Sequence, residues 1–239
     1  ETFQPVFPKS ILGVPIFLNL TLTAFPEVDA GTTTGDGKVI RAANEDFATI
    51  RSGAGTGAQN ADATEQNAQI YRAGGTNWDQ FVRAIYTFDT SALGAGATIS
   101  AATMSIYGAA GTGDVLSQSI NIVKPTPASN SNFVAADFNI ANWDFTVQST
   151  AITFAAWSTS AYNDFALNAT GLANISKTGI TPFGTAASAD YSNTDPGGSG
   201  AANAYVTGTF ADTADTTSDP KLVVTYTGVR LLTLTGVGT

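Results

Sequence analysis

The side chains with most to offer chemically are three tryptophans and a scatter of aspartates. Trp78, in GGTNWDQ, and Trp143, in NIANWDF, each stand in a polar stretch with amides and a carboxylate beside them. An indole face can stack on a sugar ring, and flanking polar groups can bond its hydroxyls. Trp78 with Asn77 and Asp79, and Trp143 with Asn142 and Asp144, are therefore the candidate glycan-contact residues. The competing reading, and the commoner fate of such rings, is a structural tryptophan beneath a loop. Trp157, in FAAWSTS, reads as core.

The aspartates raise a second kind of chemistry. Asp190 and Asp195 bracket a YSNT stretch, and Asp212, Asp215 and Asp219 follow. Hard oxygen ligands in irregular loops suit Ca²⁺, which takes about six to eight of them. Asp190 and Asp195 are thus candidate ligands of a structural calcium, the one cofactor these residues suggest. No EF-hand pattern supports it, and the same residues serve equally as turn formers and solvated loop charges. Paired carboxylates could also hydrolyse a glycosidic bond, yet nothing marks one pair among the 19 acids as poised for the task. The glycine-rich SGAGTG and GAAGTG stretches lack the Lys-Ser/Thr of a phosphate loop. An enzyme is not expected.

Composition narrows the field further. The 239 residues include no cysteine and no histidine, which removes disulfide scaffolds, thiolate catalysis, the usual serine triad and nearly every zinc site. A net charge of −9 gives no electrostatic footprint for nucleic acid. The longest apolar run, Ile11 to Leu20, is interrupted by Gly13 and Pro15 and falls short of the ~20 residues of a membrane-spanning helix. A surface poor in charge and rich in Thr, Ser, Asn and Gly leans towards secreted and particle-surface proteins, an extracellular setting on a virion or cell.

The elements that must position these residues read as strands. In Phe81 to Asp89 (FVRAIYTFD), Val82, Ala84, Tyr86 and Phe88 share one face and Phe81, Arg83, Ile85 and Thr87 the other. Ile99 to Tyr107, Ser119 to Val123, Tyr205 to Phe210 and Lys221 to Thr227 are further strands. Breaks are expected at LGAG (93–96), GAAGTG (108–113) and PTP (125–127). One short helix is expected over Gly171 to Ser176, capped by Thr170. Many short strands with frequent turns specify an all-β antiparallel sandwich. The division expected is an arm over 1–18, a sandwich over 19–228 and a tail over 229–239.

Several of these pieces, in this order, resemble the DNRLRE-domain family, which is classed among carbohydrate-binding modules. They are Ala48 to Thr56 (ATIRSGAGT), Arg83 to Ser91 (RAIYTFDTS) running into Gly96 to Tyr107 (GATISAATMSIY), Asn121 to Ser129 (NIVKPTPAS), Phe165 to Gly184, and Ser218 to Tyr226 (SDPKLVVTY). The resemblance covers roughly residues 20 to 228. It implies a jelly-roll β-sandwich found on secreted enzymes, surface proteins and phage structural proteins, with no catalysis of its own.

Both ends are apolar where linkers would be polar. Phe7, Ile11, Leu12, Ile16 and Phe17 at one end, and Leu231 and Leu232 at the other, are candidate assembly residues. They either add edge strands to the chain's own sandwich or dock on a neighbouring subunit. The expected role is a structural or decoration subunit of a phage particle or surface filament, its partners being copies of itself or a neighbouring particle or surface protein. The alternative is a module that attaches to polysaccharide through the loop tryptophans.

Overall fold

In a computed structural model, described here for residues 15–27, 33–60, 63–211 and 216–231, the chain folds as an all-β antiparallel sandwich. For 15–17 and 229–231 only the backbone is described. In chain order the elements are β1 (Pro15–Ala24), β2 (Asp36–Glu45), α1 (Phe47–Ser52), β3 (Gly57–Gln59), β4 (Thr64–Arg72), β5 (Trp78–Asp89), β6 (Thr98–Asp114), β7 (Ser119–Pro125), β8 (Trp143–Asp144), β9 (Ile152–Thr153), β10 (Tyr162–Ala166), α2 (Ala169–Asn174), β11 (Ile180–Ala187), α3 (Ser188–Ser192), β12 (Ala202–Thr209) and β13 (Lys221–Leu231).

β5 is the central strand. On one flank it pairs with β2, from Asp36 opposite Tyr86 to Glu45 opposite Trp78. On the other it pairs first with β4 and then with β11. Phe81 through Phe88 are all buried, so both alternating faces are covered. That explains why this stretch is apolar or aromatic at nearly every position.

β6 joins the two halves of the sandwich. Its first part pairs with β13 on one side, from Thr98 to Ser105, and with β10 on the other, from Thr103 to Tyr107. Its last part, Gly108 to Asp114, passes to β12. The break expected at GAAGTG is therefore not a break: the strand runs through it. The glycines are there for close approach, because a Cβ on Gly108 would lie 1.6 Å from the Ser158 carbonyl oxygen. One on Gly113 would meet the Tyr205 ring at 2.8 Å.

Three short α-helices are present among the described residues, where one was expected. α2 is the expected one, but it starts earlier and is capped by Asn168, whose side chain accepts from the Gly171 N–H. α1 is capped by Asp46, which accepts from the Thr49 N–H at 3.0 Å. A single contiguous core links the halves, with Ala102, Met104, Ile106, Phe165, Leu222 and Val224 from one and Trp78, Phe81, Phe88, Ile122 and Phe183 from the other.

Under α1 and α3 the core holds charge. Arg83, fully buried on β5, donates from Nε to Asp190 Oδ2 at 2.7 Å and from Nη2 to Oδ1 at 2.9 Å. It also donates to the carbonyls of Phe138 and Arg51, and its guanidinium lies 4.0 Å from the Phe138 ring centroid. Arg51 adds an ion pair to Asp190 Oδ1 at 3.3 Å and a bond to the Asp190 carbonyl at 2.7 Å. Burial pulls the Arg51 guanidinium below its ordinary pKa, with Asp190 opposing and Arg83 reinforcing that shift. One aspartate thereby ties α3, α1 and the central strand together.

Candidate assembly edge

The first and last described strands pair with each other. β1 and β13 run antiparallel through ten consecutive pairs, from Pro15 opposite Leu231 to Ala24 opposite Leu222, with no bulge. β13 is held on its other side by β6 only from Lys221 to Thr227. Beyond that point, Pro15 to Leu18 and Gly228 to Leu231 continue as a two-stranded ribbon without a third strand among the described residues.

The alternation in β1 explains its place. Ala24 is buried, Leu22 packs against the core and Leu20 is half-buried, while Asn19, Thr21 and Thr23 on the opposite face are exposed. Leu18, on the same face, is 41% exposed. At the ribbon's root, Leu20, Tyr226 and Gly228 face Leu93, Gly94 and Ala97 across a cavity of about 350 Å³. On its outer side β1 has no neighbouring strand among the described residues. That edge carries no charge from Pro15 to Ala24.

The sequence-predicted assembly residues divide accordingly. Phe7, Ile11, Leu12 and Leu232 lie outside the described residues. Ile16 and Phe17 are in β1, opposite Arg230 and Val229, and Leu231 ends β13. Leu18, Leu20 and Tyr226 were not singled out from sequence. The signal was present, since PIFLNLTLTA alternates leucine with polar residues at period two, but the apolar run ending at Leu20 obscured it.

The glycan candidates are corrected by burial. Trp78 is the first residue of β5 and fully buried, meeting Phe47 and Phe81 edge to face at 6.2 and 5.8 Å. The Arg72 guanidinium also lies over the ring, 4.8 Å from the centroid. Trp143, 7% exposed, stacks on Phe145 and donates to the Asp137 carbonyl at 2.8 Å. Neither indole has a face free for a sugar, because each closes a core layer that its polar neighbours merely border. Asn77 and Asp79 instead tie the turn before β5 to β2 through Asn44. Trp157 is core, as read from the sequence.

The calcium candidates are corrected by their partners. Both carboxylate oxygens of Asp190 are committed to Arg83. Asp195 Oδ1 accepts from the Gly197 N–H at 2.9 Å and from Trp78 Nε1 at 3.3 Å. A buried ion pair and a turn bond account for the two residues.

Four surface carboxyls have pKa values below the ordinary range. Asp46 is lowered by the Thr49 side chain and backbone, and Asp79 by the Ala73 N–H and Asn44. Asp89 is lowered by Ser91, and Asp144 chiefly by the Thr146 backbone. A folded pKa beneath the unfolded one, about 3.9, means the folded state binds fewer protons. Stability is then full above the unfolded value and lost as pH falls through the folded values. The melting temperature should therefore hold steady above pH ~5 and decline below ~4. A profile that stays flat to lower pH in thermal denaturation would refute this.

The fold and this edge define the class: an all-β sandwich whose first and last described strands form a two-stranded rim that is open among the described residues. Among known proteins, no family model and no curated protein matches the chain.

Proposed function

We propose that this chain is a non-catalytic structural or decoration subunit of an extracellular assembly, a phage particle or surface filament, built on a DNRLRE-like sandwich. The observation that carries the reading is the rim: β1 and β13 continue past the last pair that β6 makes, and the outer edge, β1, is uncharged and open among the described residues, Arg230 lying on the inner strand. Natural proteins usually guard a long sheet edge with charges, prolines or bulges. Beyond Pro15, this one has none. An edge left open in this way serves strand addition by a neighbour.

Light scattering of the intact chain over a wide concentration range, followed by electron microscopy of the same sample, tests the reading. Defined oligomers, rings or filaments are expected. A 24.5 kDa monomer at every concentration, with no ordered particles in micrographs, would overturn it.

A further inference from the structure

We infer that the occupant of the open edge is the β1 strand of a second copy, paired antiparallel about a twofold axis through Leu20. This inference rests on the assembly reading and gives it a partner and a register. The argument is one of self-complementarity, because a twofold interface must match a surface to itself.

Antiparallel pairing keeps each residue's face, so the register must set leucines opposite leucines and polar residues opposite polar ones. With the axis at Leu20, Leu20 faces Leu20 of the second copy and Leu18 faces its Leu22. Asn19 then faces Thr21. The paired span is Ile16 to Ala24, which leaves only Pro15 outside. Proline has no N–H to give to a ladder, so a register that excludes it wastes nothing. Moving the axis by one residue, to Asn19, would draw Pro15 into range of Thr23.

Two further observations agree. Leu18, 41% exposed, is one of few large apolar side chains left in water among the described residues, and this register covers it with Leu22 of the second copy. The chain carries −9 overall, yet β1 is uncharged, so two copies meet here without facing charges. A strand of this length spans about 33 Å. A single-strand contact is smaller than a standard interface of ~800 Å² per partner, and the pair should form and dissociate with concentration.

Four variants of the full chain test this. Because the protein has no cysteine, Leu20→Cys introduces a single thiol at the axis. Mild oxidation should give a covalent dimer, while Thr23→Cys, away from the axis, should not. Leu18→Lys, at an exposed position, should leave the melting temperature unchanged and raise the dissociation constant of the pair about tenfold or more. Thr21→Lys, on the exposed face of the same strand, gives a second reading should Leu18→Lys disturb folding. Oligomers that survive both lysine variants, with no crosslink at position 20, would overturn the β1 pairing and leave the assembly reading standing. A monomer throughout would overturn both.

Discussion

Replacing Asp190 with alanine should destabilise the protein by about 3–5 kcal/mol, the cost of leaving a buried charge without its partner. The guanidinium of Arg83 is wholly enclosed, and among the described residues Asp190 alone supplies carboxylate contacts within ion-pair distance. Arg51 would lose its ion pair at the same time. The carbonyls of Phe138 and Arg51 still accept from Arg83, which places the loss nearer the lower end of the range. Urea denaturation of Asp190→Ala measures it directly. Arg83→Met in the same background should recover part of the loss, because an apolar pair in a buried ion pair's place is often neutral or better. A loss under about 1 kcal/mol for Asp190→Ala would show that the pair is solvated in a way its burial does not admit.

Trp78→Ala should be of similar size, about 3–5 kcal/mol, as for other large aromatic truncations in cores. The ring is fully buried among Phe47 and Phe81, so removal leaves a cavity and breaks two edge-to-face contacts. It also strips Arg72 of its stacking partner; that arginine otherwise holds the carbonyls of Gly197, Gly198 and Gly200. The 195–200 loop should therefore loosen along with the core, visible as faster proteolysis there. An exposed sugar platform at this position would predict nearly unchanged melting, so thermal denaturation separates the two accounts of this tryptophan.

The contrast between those two residues shows which features were legible in the sequence. The Phe81–Asp89 strand was readable because its neighbours on both flanks bury it and its composition reflects that. Arg83 stood in plain view within it, but its partner is 107 positions away, and no local spacing announces such a pair. Trp78 was misread because its neighbours in sequence are polar; the residues that enclose it, Phe47 and Phe81, come from α1 and from β5 itself. α1 was missed because six residues make too few turns for a helical period. Its cap, Asp46 three residues before Thr49, was the only local clue. At β6 the glycines argued for a break, whereas they record how closely Ser158 and Tyr205 approach the strand. Local chemistry disclosed elements where burial is two-sided and uniform, and concealed them where the deciding contact is distant.

The ribbon also has a mechanical consequence. Pro15 and Leu231 are paired neighbours at the same end of two antiparallel strands. Tension that pulls those two points apart loads the pairs one at a time, so β1 peels from β13 like a zip at low force. A pull between two copies along their shared β1 edge would instead load every bond across it at once. An assembly strung through the β1–β13 ends would be compliant, and one joined edge to edge would resist shear. Single-molecule stretching in the two geometries would show how sharply the same strand differs in strength with the direction of load.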